Sequence, residues 1–367
     1  MHTLPAESVS SALDVAIDDQ LDPAAAPRGR RGGASGGPRP YLARRLVALG
    51  AGVLVLILIL LGIRGCLDAR KTRSFENYAS DLSSIVTQSN QLAQGLFEKL
   101  KAPPEKNGAS DLEAEVSADR GAMEGLLQRV ENLDTPDELT GAQAEMVSSF
   151  ELRSDALGGM AEQLPNALGR SDRFDALTAV ANDMRMFLAS DVLFSRAQGS
   201  IQQTLDDEGI SATVEDSVFL PEPADEWIDV NKLAVTLAPF AADASATSGV
   251  HGLALLSAKL DNTTLATDTE NSINLNGLPR LVVDVQNGGD SDEVDVTVSY
   301  TLSGASGASQ GVTTVSRIAA QDTAQATIPF SDEPPTGTPL TLEISVLPVP
   351  GETLFENNTL TYTITFE

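Results

Sequence analysis

Leu281-Val282-Val283-Asp284-Val285-Gln286-Asn287-Gly288-Gly289-Asp290, followed by Val294-Asp295-Val296-Thr297-Val298-Ser299-Tyr300, is where the chain changes its period. Apolar and polar residues alternate here, the repeat of two that turns one side of an extended strand to a core and the other to water. Between the two runs, Asn287-Gly288-Gly289 supplies residues that accept positive φ, as tight turns require. Comparable runs occupy Leu253 to Leu260, Val312 to Ile318, Ala324 to Phe330, Leu340 to Val346 and Leu360 to Phe366. Seven strands at turn-punctuated spacing predict an all-β Ig-like sandwich over residues 249–367.

Two segments of this region resemble a known family. The first, residues 281–290, is like a strand that ends in an Asn-x-Gly turn. The second, Glu356-Asn357-Asn358-Thr359-Leu360-Thr361-Tyr362, is like a closing Glu-and-Asn-Asn motif that leads into a last strand. On these motifs residues Pro279 to Glu367 resemble the CARDB-type (bacterial cell-adhesion-related) Ig-like domains. Ala320-Gln321-Asp322-Thr323 departs from the Gly-bearing turn that the family often has before its mid-domain strand. The resemblance implies a surface interaction or spacer module and no enzymatic activity.

Upstream the period is helical. Phe75, Tyr78, Leu82, Ile85, Ser89, Leu92 and Leu96 recur every three or four residues, predicting a helix that ends before Pro103-Pro104. Leu112 to Leu133 suggest a second helix capped by Ser110, and Leu139, Met146, Phe150, Leu157, Met160 and Leu164 a third beginning at Pro136. A fourth starts near Ser171 and carries Phe174, Leu177, Ala181, Met184, Leu188 and Val192. Residues 74–210 therefore read as an all-α helical bundle, with a rod-like coiled coil as the alternative. Residues 211–248 read as a linker holding a short helix between Ala224 and Leu237 and the only tryptophan, Trp227, whose expected use is packing between the two domains.

Leu46 to Ile63 contains no charged or polar side chain, and its rise of about 27 Å predicts a single transmembrane helix. Six Arg lie between Arg28 and Arg45, against Arg64, Arg70, Lys71 and Arg73 on the other flank, a bias that places the N-terminus inside. The expectation is thus a multidomain membrane-anchored chain: a disordered cytoplasmic tail over 1–45, the span over 46–63, and extracytoplasmic domains beyond, located at the cell membrane. Cys66 beside the span is expected free or acylated. It is the only cysteine, so the chain has no internal disulfide.

Residues 74–367 hold 14 Lys and Arg against 46 Asp and Glu. Such a surface repels phosphate backbones, which excludes nucleic acid as an expected partner. Asp290, Asp292 and Glu293 cluster at a turn and have the hard oxygens that Ca²⁺ takes, though without EF-hand spacing. Asp206-Asp207-Glu208 reads as solvated, and Asn262-Thr263-Thr264 and Asn357-Asn358-Thr359 as ordinary turns that match a glycosylation pattern. Gly33-Ala34-Ser35-Gly36-Gly37 and Gly307-Ala308-Ser309-Gln310-Gly311 match the spacing of a nucleophile elbow without its strand and helix. His251 has no recognisable catalytic partner. No catalytic, cofactor-binding or metal-ligating residue is assigned and no cofactor is expected. The function expected is that of a membrane-anchored interaction or adhesion-type protein with a protein or cell-envelope partner, the alternative being a structural or assembly accessory acting through its helices.

Overall fold

The computed structural model describes residues 40–102, 108–169, 172–245, 249–304 and 307–367. Contacts divide the chain into two units, 1–64 and 65–367. The tail expected over residues 1–45 and the first nucleophile-elbow match fall almost wholly outside the described residues, as does the side chain of Cys66.

Helix α1 spans Pro40–Lys101. The transmembrane reading of 46–63 is overturned: among the described residues no helix is long and apolar enough to cross a membrane. Apolar side chains are described from Leu49 to Gly62, all exposed. The membrane-anchored fold class fails with that reading. So does the placement at the cell membrane with a cytoplasmic N-terminus and extracytoplasmic domains, which had no other support.

The second unit begins with the later turns of α1, where Phe75, Tyr78, Leu82, Ile85, Ser89 and Leu96 are buried. Helix α2 (Gly108–Glu131) follows, then a 3₁₀ turn at Asp137–Leu139, α3 (Thr140–Leu168) and α4 (Arg173–Asp207). On α4 the expected stripe holds through Met184 and then diverges. Phe187, Ser190, Phe194, Ala197, Ile201 and Leu205 face the core, whereas Leu188 and Val192 are 38% and 64% exposed. A face that advances by 3.6 residues per turn passes from 184 to 187 and 194, and a strict four-residue step drifts off it.

The stretch read as a linker packs into the helical core. Phe219, Leu220, Trp227, Leu233, Leu237 and Phe240 are all buried there, the last four on or beside α5 (Asp225–Ile228) and α6 (Val230–Ser245). Trp227 meets Phe97 edge-on at 4.6 Å, so it packs inside the helical part and does not bridge two domains.

A fully buried Arg153 holds this arrangement together. Its Nε donates to Ser190 Oγ (3.2 Å), Nη1 to Ser89 Oγ (3.0 Å) and Nη2 to Asp191 Oδ1 (3.0 Å). Its guanidinium lies about 5 Å from the rings of Phe150, Phe194 and Phe219. Asp191 in turn accepts the backbone N–H groups of Phe219 (2.8 Å) and Leu220 (3.0 Å). Elsewhere on α4, Asp183 lies against Gly159 of α3, where an added Cβ would come 2.5 Å from its carboxylate. Among the described residues Asp183 Oδ2 has no hydrogen-bond partner, and burial, aided by nearby Glu162, pushes its pKa up to about 7.

Among the described residues nine strands follow: β1 (Leu253–Leu260), β2 (Thr263–Thr264), β3 (Asn271–Ile273), β4 (Arg280–Asn287), β5 (Glu293–Gly304), β6 (Gly307–Ile318), β7 (Thr323–Pro329), β8 (Pro339–Val346) and β9 (Thr359–Phe366). They form two sheets, ordered β2-β1-β4-β7 and β3-β9-β8-β5-β6. All pairs are antiparallel except β3 with β9. The inward residues of each alternation, such as Leu281, Val283 and Val285 on β4 and Val296, Val298 and Tyr300 on β5, share one core. Tyr300 stacks on Phe330 at 4.4 Å. At Gly311 of β6 a Cβ would meet Tyr300 Cε1 at 2.5 Å, so the strand crosses the ring only because a side chain is missing there.

Candidate functional site

The polar groups that the sequence scatters most widely converge where α4 begins beside the sandwich. Arg173 opens α4, after Asp172 in the left-handed region at φ 55° with no side-chain cap on the helix. The Arg173 side chain is 6% exposed. Its Nε donates to Ala167 O (3.0 Å) and its Nη1 to Pro348 O, in the loop after β8; Nη2 is buried without a partner. Burial lowers its pKa to about 10, opposed by the field of Glu352, so it stays charged at neutral pH.

Glu352 is buried and accepts from Leu253 N (2.8 Å), Val349 N (2.9 Å) and Asn358 Nδ2 (3.0 Å). Its pKa is raised by burial, with Glu293 adding repulsion, while those three donors oppose the rise. His251 and Glu293 are both buried and meet at 2.5 Å between Nδ1 and Oε1. The backbones of His251 and Glu352 form a parallel bridge, which ties the entry of β1 to the loop before β9.

A cavity of about 380 Å³ lies beside Arg173, lined by residues 172–175 at the start of α4, 293–297 of β5, 312–314 of β6 and 347–350. Asp172, Asp175 and Asp295 are exposed on its wall. None of these three carboxylates has a side-chain partner among the described residues. Among the described residues the His251–Glu293 pair has both members buried, and His251 Nε2 faces no hydrogen-bond partner.

The residues singled out in the sequence separate. Asp290 Oδ1 accepts Val250 N (2.8 Å), Asp292 pairs with Arg317 and accepts Ala320 N (3.1 Å), and Glu293 turns inward to His251. The three carboxylates of the calcium reading therefore serve three different partners. Among the described residues no group of three or more His, Cys, Asp or Glu gathers as metal ligands. Asp206 accepts Gln202 Nε2 (3.0 Å) and Glu208 pairs with Lys71 (2.8 Å). Ser309 of the second elbow match sits inside β6, opposite Leu302 of β5, where the chain makes no strand-to-helix turn. Asn358 is buried on Glu352, which gives the closing Glu-and-Asn-Asn segment its physical role.

Sequence reasoning missed Arg173, Glu352 and the pairing of His251. An arginine at the first position of a helix, where acids are favoured, was the available signal for Arg173.

The sandwich is similar to CARDB domains. The crystal structure of the CARDB domain of the PF1109 protein from Pyrococcus furiosus, in complex with di-metal ions, is 17% identical over 32% of this chain and 90% of that one, at a TM-score of 0.24. The solution structure of the same domain is 15% identical over 32% of this chain and 97% of that one, at 0.23. An alkylpurine DNA glycosylase of Pseudomonas fluorescens, bound to DNA with an abasic site analog, is 10% identical over 80% of this chain and 97% of that one, at 0.21. No family model matches the sequence, and no curated protein matches it.

Proposed function

We propose that this chain is an interaction protein without enzymatic activity, whose sandwich engages an extended, basic segment of another protein along the open edge of β6. The observation that carries the reading is the edge itself. β6 runs for 12 residues at the end of its sheet, bonded to β5 alone. The opposite edge, β3, has 3 residues, and the β2 edge of the other sheet has 2. Natural edges are blunted by shortness, Lys or Pro, and from Gly307 to Ser316 β6 has none of these. Such an edge accepts an added strand through main-chain hydrogen bonds.

Charge selects among occupants. Residues 249–367 hold 15 Asp and Glu against 3 Lys and Arg, which favours a basic segment over a second copy of this chain or a nucleic acid. An adhesion-type role is compatible with the likeness to CARDB domains. A scaffold role for the helices is the second reading, favoured by Leu188 and Val192, exposed one turn apart on α4.

Substituting Thr313 and Thr314 separately by Pro tests the edge, because adjacent residues of a strand send their N–H groups to opposite sides. One variant loses an outward donor and keeps the fold; the other loses a bond to β5 and melts lower. Binding to immobilised β-prone peptides of net positive charge is expected to fall at least tenfold in the first variant, at unchanged melting temperature. Equal binding by wild type and both variants refutes the edge, and loss of binding in L188S/V192S instead favours the helices.

A further inference from the structure

We propose that Asn276-Gly277, in the loop between β3 and β4, is a site of spontaneous covalent modification, at which the asparagine amide is lost and aspartate and isoaspartate form in its place. The reaction needs a residue without a side chain after the asparagine, and freedom for that residue's backbone nitrogen to reach the asparagine side-chain carbonyl carbon. Two Asn-Gly pairs lie wholly within the described residues, and the fold treats them in opposite ways.

Asn287-Gly288, the turn at the end of β4, is locked on both sides of the bond that would form. Asn287 is buried; its Nδ2 donates to Ser291 O (2.8 Å) and Ile318 O (3.1 Å), and its Oδ1 accepts Gly289 N (2.8 Å). The Gly288 nitrogen, which would have to attack, donates to Gly252 O (2.9 Å). Reaction there must give up these hydrogen bonds inside a closed turn. Asn276 and Gly277 are both exposed, and among the described residues neither the Asn276 side chain nor the Gly277 nitrogen has a hydrogen-bond partner. The nearest backbone hydrogen bonds along the chain are Leu275 N to Glu367 O (3.0 Å) on one side and Phe330 N to Pro279 O (3.0 Å) on the other. Gly277 takes φ 96°, and a Cβ built on it would meet nothing within 4 Å, so the approach to its nitrogen is open.

The Gly277 nitrogen bonds to Asn276 Cγ, the Cγ–Nδ2 bond breaks, and the amide leaves as ammonia with the proton that the Gly277 nitrogen gives up. Water then opens the cyclic imide at either carbonyl. Opening at Cγ leaves aspartate on the original backbone; opening at the main-chain carbonyl leaves isoaspartate, with the chain running through Cγ. Water is the sole co-reactant and nothing is oxidised or reduced. Each event adds a negative charge to an already acidic sandwich, and the isoaspartate form lengthens the backbone by a methylene beside the three-residue β3.

Peptide mapping by mass spectrometry tests the assignment on the full chain, held in warm, mildly alkaline buffer either folded or unfolded in guanidinium chloride. Unfolded, both pairs are expected to react, because sequence alone then governs them. Folded, Asn276 is expected to convert within about threefold of its unfolded rate, and Asn287 at least about tenfold more slowly than its own. N276Q is expected to abolish conversion at that peptide at unchanged melting temperature. Protection of Asn276 in the folded chain as strong as that of Asn287 overturns the proposal. So does a product that is aspartate alone, since an imide opens both ways.

Discussion

Arg153 and Arg173 are both buried arginines, and they are finished differently. Every nitrogen group of Arg153 has an acceptor, one of them the carboxylate of Asp191, and three phenyl rings surround its guanidinium. Arg173 donates to two backbone carbonyls and, among the described residues, leaves Nη2 without a partner. A buried charge is tolerable when each of its nitrogens finds an acceptor and a counter-charge lies beside it, as at Arg153, which is how a structural staple is built. Asp183 is a third case: a half-buried carboxylate with one oxygen unmet among the described residues and Glu162 nearby.

Substitutions can break or sharpen this contrast. The largest effect is expected for R153M, which strands Asp191 in the core; loss of one partner of a buried pair costs about 3–5 kcal/mol. R173M removes two hydrogen bonds to carbonyls and no close ion pair, and is expected to cost about 1–2 kcal/mol in urea denaturation. A cost for R173M equal to that of R153M would mean that both are staples.

Asp183 gives a smaller effect with a distinct pH signature. Its folded pKa, about 7, stands above the unfolded value, so the folded state holds the proton over a window in which the unfolded state has lost it. Its contribution is therefore present at low pH and falls away as pH rises from about 4 towards 7. D183N is expected to raise stability at pH 8 by on the order of 1–2 kcal/mol, reduced for partial solvent screening, and to change little at pH 4. Urea midpoints at the two pH values check this, and an equal shift at both would remove Asp183 as the cause. The least effect is expected for V192T, within about 0.5 kcal/mol, because that side chain is already in water.

The contrast also marks what the sequence could tell. The long strands were legible because alternation and turn residues are local signals. The run from Leu253 to Leu260 coincides with β1, and those beginning at Leu340 and Leu360 lie one residue inside β8 and β9. β2 and β3, at 2 and 3 residues, are too short for any period to register. The helical stripes were legible until the heptad step was carried too far, at Leu188 and Val192. An uncharged apolar run was legible at 46–63, but its promotion to a span was not supported. The linker reading misled because prolines break the period there, although Phe219, Leu220, Trp227, Leu233, Leu237 and Phe240 belong to the helical core.

The candidate site was barely legible. His251 and Glu293 stand 42 positions apart, and Arg173 and Pro348 stand 175 apart. Nothing in spacing joins such pairs; the fold of two chain halves against each other does. Glu293 faces inward because the pairing of β5 with β6 skips Asp295, at φ 52°, so the alternation that holds from Val296 onward is out of phase before it and pointed the wrong way.

The grip of Asp191 on the amides of Phe219 and Leu220 has a practical consequence for dissecting the molecule. A fragment cut at 210 would remove the lid of aromatic side chains that closes the helices, and would strip Asp191 of both backbone donors. The scissors belong beyond Ser245, where α6 ends and its apolar residues have been delivered to the layer they complete.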